Sequence, residues 1–140
     1  MTELAQIPEK LAIEAQFEPR NGAQWLQVAN VPVRKLAETM NAIGARFVTI
    51  TAYELAGDEG FRLEYHWDLD GTLLGFSYDL IDKKIDSIYE LCPAVDWIER
   101  EIYEGYSIQF AGRDYEPLLL REGRTPGVNL RVEPVTEVAK

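Results

Sequence analysis

The chain has 140 residues and a mass of 16.0 kDa, enough for one domain of ordinary size built on one core. Hydrophobic residues make up 46% and aromatics 11% of it, which is ample to fill a globular interior and argues against a disordered chain. Fourteen Lys and Arg against twenty-four Asp and Glu leave a net charge of -10, a surface that repels nucleic acid phosphates and anionic lipid headgroups. No nucleic acid partner is expected. The lone cysteine, Cys92, supplies neither an internal disulfide nor a multi-thiolate cluster, and a reducing compartment is expected. The longest uncharged stretch, Asn21 to Val33, carries polar residues and Pro32, far from the ~20 apolar residues of a membrane-spanning helix. The first residues carry acid and lack an apolar h-region, so neither export nor a direct membrane span is expected.

In chain order, Leu4, Ile7, Leu11 and Ala15 predict a short amphipathic helix over 2–15, interrupted by Pro8. Ala23 to Ala29 reads as a first strand. Leu36, Met40 and Ile43 recur at helical spacing over Val33 to Ile43 and are followed by Gly44, a residue suited to the positive φ of a helix C-terminus. Three runs rich in β-branched and aromatic residues follow, Arg46 to Leu55, Phe61 to Leu69 and Thr72 to Leu80. In the first, Phe47, Thr49, Thr51 and Tyr53 share one face. In the second, Phe61, Leu63, Tyr65 and Trp67 alternate with Arg62, Glu64, His66 and Asp68, the period of a half-buried antiparallel strand. The connections at 57–60 and at Asp70-Gly71 supply hairpin turns, so a β-meander is expected.

From Ala94 to Tyr106 the pattern is helical again, with Val95, Ile98, Ile102 and Tyr106 three or four apart. Arg100 lies one helical turn from both Asp96 and Glu104, pairs worth ~0.2–0.5 kcal/mol each when exposed. Beyond Gly112 scattered Pro and Gly, and the turn-like stretch at 124–128, read as an extended tail that lies on a partner. The fold class is therefore α+β: a mainly antiparallel sheet of three or four strands with flanking helices and an extended C-terminal tail. The domain is expected over 1–120 and the tail over 121–140.

Candidate chemistry is sparse. Asp68-Leu69-Asp70-Gly71-Thr72 matches the nucleophile loop of haloacid-dehalogenase-type phosphatases, in which the first Asp attacks phosphorus and the second handles the proton. That loop follows a continuous apolar strand of a parallel sheet, whereas the strand here alternates with Arg, Glu and His, so a hairpin turn is the favoured reading. A calcium loop lacks its closing Glu. His66, the single histidine, has no nucleophile at triad spacing and reads as a surface residue, and Cys92 as a small buried hydrophobe. No glycine-rich phosphate loop is present.

The helix Trp97-Ile98-Glu99-Arg100-Glu101-Ile102-Tyr103-Glu104 and the segment after it resemble the 30-kDa subunit of respiratory complex I, the NADH-quinone oxidoreductase, and its relatives in membrane-bound energy-converting [NiFe]-hydrogenases. The family signature runs Glu-Arg-Glu, two residues, an acid, two large apolar residues, six residues, His, three residues, then Lys, Arg or Pro before an apolar pair. Glu99, Arg100, Glu101, Glu104 and Tyr106 match, as do Pro117, Leu119 and Leu120. Pro93, Ala94 and Trp97 resemble the family's approach to this helix. The resemblance spans roughly residues 30 to 120. Gly105 stands where the family has a large apolar residue and Arg113 where it has His, departures that favour the shorter hydrogenase-type branch.

The resemblance implies a non-catalytic subunit, with no cofactor in this chain, in the peripheral arm of a membrane-bound hydrogenase or NADH-quinone oxidoreductase on the cytoplasmic side of the membrane. It implies docking on the large catalytic hydrogenase or 49-kDa-like subunit beside other peripheral-arm subunits, with the nickel-iron site and iron-sulfur clusters in those partners. The interface residues it implies are Trp97, Glu99, Arg100, Glu101, Glu104 and Arg113. Competing readings are a small phosphatase using Asp68 and Asp70, and a free-standing acidic adaptor.

Overall fold

In the computed structural model, the described residues are 4–28, 30–56, 60–119 and 125–130. A short helix α1 (Gln6–Lys10) leads into strands β1 (Glu18–Arg20) and β2 (Ala23–Gln27), then helix α2 (Val33–Ala42) and the meander β3 (Arg46–Glu54), β4 (Phe61–Leu69) and β5 (Thr72–Leu80). Strand β6 (Lys84–Asp86), a 3-10 turn (Pro93–Val95), helix α3 (Asp96–Tyr106) and strand β7 (Gln109–Ala111) complete the order. The α+β class and the mainly antiparallel sheet hold, but the sheet has five strands in the order β1-β2-β5-β4-β3, one more than the expected maximum. The difference arises because β2 pairs parallel with β5 across a long sequence separation and brings β1 with it.

Local sequence accounts for the turns. Asp70 and Gly71 both hold positive φ, 51° and 90°, and join Leu69 to its ladder partner Thr72. Two positive φ values at a two-residue connection match the right-handed twist of the paired strands, which is why Asp-Gly suits the site. Helix α2 ends in a Schellman motif: Gly44 adopts φ 77°, its N–H donates to the Asn41 carbonyl at 3.2 Å, and the Ala45 N–H donates to the Met40 carbonyl at 3.0 Å. The first helix is shorter than expected, because Ala12 takes a positive φ of 58° and breaks it. The connection at 57–59 lies outside the described residues.

One core forms on one side of the sheet. Leu63, Tyr65 and Trp67 of β4 and Leu74 and Phe76 of β5 join Leu36 and Met40 of α2, Ile102 of α3 and Ile7 of α1, all buried. Strict alternation along β3 would place Phe47 with the threonines. Instead the ladder slips between Phe47 and Thr49; this bulge leaves Val48 41% exposed and turns Phe47 edge-on to Trp67, ring centroids 5.5 Å apart. Cys92 is buried as a hydrophobe. Among the described residues no helix is long and apolar enough to cross a membrane.

The opposite face of the sheet corrects the reading of His66, which is buried rather than on the surface. Register places Trp25, Gly75 and His66 side by side on β2, β5 and β4. The Trp25 ring lies across Gly75, where an added Cβ would meet ring carbons at 2.5 Å, and packs edge-on to His66 at 5.3 Å. Arg20 stacks over Trp25 at 4.4 Å and reaches Glu64 at 3.6 Å.

Burial lowers the His66 pKa from its usual 6.5, against the pull of Glu64. The native state therefore favours neutral imidazole: the contribution of His66 to stability is complete above pH 6.5 and is lost as pH falls through the lowered native value. As the single histidine, its NMR titration midpoint is expected below 6.5. Gly75→Ala is expected to displace Trp25, move that midpoint toward 6.5 and cost ~1–3 kcal/mol in a denaturant melt. An unchanged midpoint would mean that Trp25 does not control the site.

Candidate functional site

Helix α3 is the crossover between two short parallel strands, β6 and β7, paired Lys84 with Gln109, Ile85 with Phe110 and Asp86 with Ala111. Its sequence divides into an inner and an outer face. Glu99, 1% exposed, turns inward: its carboxylate accepts from the Ser87 hydroxyl at 2.6 Å, the Ile88 N–H at 3.0 Å and Arg113 Nη1 at 3.2 Å. The Ser87 oxygen in turn accepts from the Tyr89 N–H at 3.1 Å. Burial pushes the Glu99 carboxyl above its ordinary value, opposed by these donors and by the Arg113 charge.

Arg113, which stands where the resembling family has His, bridges back onto the helix. Its Nη2 lies 2.5 Å from Asp96 Oδ1, and its guanidinium rests 4.6 Å from the centre of the Tyr89 ring. The turn after β7, the loop after β6 and the first half of α3 are thus held by one network. Planar Arg suits this position because it can serve two carboxylates and an aromatic face together.

Glu104, also buried, performs the same task at the other end of the helix. Its carboxylate accepts from the Tyr115 hydroxyl, from the Leu118 N–H at 2.7 Å and from the Leu119 N–H at 2.8 Å. Burial and this carboxylate push the Tyr115 phenol up to about 12. The spacing of the signature therefore has a physical meaning: the acid on the helix binds the backbone just past Pro117, and the residue at the His position binds the first Glu.

The described part of the expected tail, 125–130, lies on this chain's own helix end. The Gly127 N–H donates to the Glu104 carbonyl at 2.7 Å and the Asn129 N–H to the Gly105 carbonyl at 2.7 Å, while Leu130 packs on the core. A Cβ on Gly105 would approach the Asn129 side-chain amide at 2.7 Å. Asn129 thus fills space above the small residue that replaces the family's large apolar one. Leu120 and the rest of the tail lie outside the described residues.

The outer face of α3 is different. Trp97 is 69% exposed, and Glu101, one turn on, is exposed beside it. Arg100 lies between the two faces, its Nη1 3.6 Å from Asp96 Oδ2. Of the six residues expected at an interface, Glu99, Glu104 and Arg113 thus make internal bonds, while Trp97 and Glu101 face outward. Sequence periodicity does not separate these roles, because the internal partners Ser87, Ile88, Leu118 and Leu119 come from flanking loops. Asp68, the residue of the phosphatase reading, stands on β4 with its Oδ2 3.9 Å from Arg46 Nη2, and Asp70 is the hairpin turn described above.

These features define an α+β domain in which one charged helix is sewn to both flanking loops by buried carboxylates. The chain belongs to the family of the respiratory-chain NADH dehydrogenase 30-kd subunit, whose family model matches residues 26–137. No curated protein matches it in sequence. Among solved structures, it is similar to a chain of the membrane-bound sulfane sulfur reductase, an archaeal respiratory membrane complex, with a TM-score of 0.72 and 22% identity over 85% of this chain and 75% of that one. It is also similar to the trypsin-resistant fragment (1–134) of Nqo5, with a TM-score of 0.65 and 17% identity over 77% of this chain and 94% of that one.

Proposed function

We propose that this chain is a non-catalytic peripheral subunit of a membrane-bound energy-converting [NiFe]-hydrogenase or complex I-like NADH-quinone oxidoreductase, docked on the large catalytic subunit at the cytoplasmic side of the membrane. The observation that carries the proposal is the outer face of α3. An indole 69% exposed on a helix whose inner face is rigidly bonded is a preorganised anchor, and Trp is one of the residue types enriched, with Tyr and Arg, at the energetic centre of interfaces. Family membership supports the reading, and so does the description of one similar structure as part of a respiratory membrane complex. In this reading the nickel-iron site and iron-sulfur clusters belong to partner subunits, and this chain holds a surface rather than a reacting group. The departures at Gly105 and Arg113 favour the hydrogenase-type parent.

Trp97→Ala is expected to weaken association with the large subunit by ~2 kcal/mol or more, roughly 30-fold. The melting free energy of the isolated chain should change by less than ~0.5 kcal/mol, because the indole is exposed. Affinity capture of the complex and a melt of the free chain read the two quantities. Unchanged capture would remove Trp97 and the outer face from the interface.

A further inference from the structure

A cleft of about 330 Å³ lies between α3 and the β6/β7 ladder, lined by Lys84, Glu99, Arg100, Tyr103, Arg113 and Tyr115 among others. Three cations face one carboxylate there, in a chain whose net charge is -10. Arg113 is committed to Asp96 and Glu99. Arg100 and Lys84 are not matched in this way.

The Arg100 side chain is only 14% exposed, yet its buried Nε has no hydrogen-bond partner among the described residues. Its single ion pair among them is the 3.6 Å contact with Asp96. Lys84 pairs with no carboxylate among the described residues. A buried guanidinium donor left unpaired is unfavourable, and an oxygen acceptor supplied from outside removes the deficit. Tyr103 and Tyr115, ring centroids 4.3 Å apart, add an aromatic wall along the cleft.

From this geometry we infer that the cleft receives an acidic side chain from a segment of the neighbouring subunit, its carboxylate held between Arg100 and Lys84. The inference rests on the docking role proposed above and extends it, naming the chemistry of the partner. The volume suits one inserted side chain rather than a folded element. Arg100, which lines the cleft, and the exposed Trp97 are three residues apart on the same helix, about one turn. In an acidic protein, a local cationic seat of this kind would set orientation against a partner as well as affinity.

Zero-length cross-linking of the intact purified complex with a water-soluble carbodiimide tests it. The reagent activates a carboxyl group and leaves as its urea, carrying the elements of water, while Lys84 Nζ forms an amide with that carboxyl. The expected product, read by mass spectrometry, joins Lys84 to an Asp or Glu of another subunit. Arg100→Gln is expected to weaken retention in the complex about 30-fold, and Lys84→Gln, on an exposed side chain, should weaken it in the same direction without shifting the melt of the free chain.

If Lys84 joins only acids of its own chain, or nothing, while the chain is retained in the complex, the cleft proposal is overturned and the docking role stands. If no lysine of this chain joins another subunit and the chain washes out of the complex, the docking role fails and takes the inference with it.

Discussion

Glu99→Ala is expected to lower the stability of the isolated chain by ~3–5 kcal/mol, because it removes the acceptor shared by Ser87, Ile88 and Arg113 and leaves donors buried without a partner. For a domain of this size that corresponds to a fall of roughly 10–20 °C in Tm. The substitution should also loosen the turn carrying Arg113, since only Asp96 then holds its guanidinium. Glu99→Gln keeps the volume and one acceptor oxygen and should cost less. Because burial raises the Glu99 pKa above 4.5, ionisation is harder in the folded chain than in the unfolded one. Its titration contributes stability that is full below pH 4.5 and is lost as pH rises through the raised native value. The stability difference between wild type and Glu99→Gln should therefore shrink over that range. A melt of Glu99→Ala within 1 kcal/mol of wild type, on the order of a surface change, would show that the buried network does not hold the helix.

Glu104→Ala should be the second most costly change, at ~2–4 kcal/mol, and its effect should be local. The Leu118 and Leu119 N–H groups and the Tyr115 hydroxyl lose their shared acceptor, so the 115–119 segment should detach from α3. The 125–130 segment should follow, because its bonds go to the carbonyls of Glu104 and Gly105 at the same helix end. Hydrogen exchange is expected to show faster exchange at Leu118, Leu119, Gly127 and Asn129, with the β4 and β5 ladders unchanged. The Tyr115 phenol, held up to about 12 by burial and this carboxylate, should titrate closer to its ordinary 10.0. Unchanged protection at Leu118 and Leu119 would place the anchoring of this segment elsewhere.

How much of this is legible in the sequence depends on the range of the interaction. Helix α2 and the β4–β5 hairpin follow from local rules: apolar residues at helical spacing closed by Gly44, and alternation closed by Asp70-Gly71. The five-stranded sheet does not, because β2 finds β5 across some fifty residues and no local pattern fixes that pairing. The burial of His66 escapes local rules for the same reason. A polar residue on the outer side of an alternating strand is ordinarily solvated, and here Trp25, from a distant strand, covers it through the gap at Gly75. Strands β6 and β7, three residues each, carry too little periodicity to be seen without the crossover helix between them.

The site is legible as a motif and only half legible as chemistry. The resemblance identifies Glu99, Arg100, Glu101, Glu104 and Arg113 as a unit, and the fold shows why three of them belong together: each ties α3 to a flanking loop. What sequence spacing does not supply is direction. Trp97 and Glu101, four apart, share a face by spacing, but spacing does not say that this face meets solvent while Glu99 and Glu104 reach buried N–H groups.

Whether this chain works by docking is read most directly by purifying it, affinity-tagged, from membranes of its native source in mild detergent and identifying the co-purifying proteins by mass spectrometry. Stoichiometric recovery of a large catalytic subunit of the hydrogenase or 49-kDa type is expected, lost or sharply reduced with Trp97→Ala. Recovery of the chain alone, with that large subunit migrating in an intact complex that lacks it, would rule the docking role out.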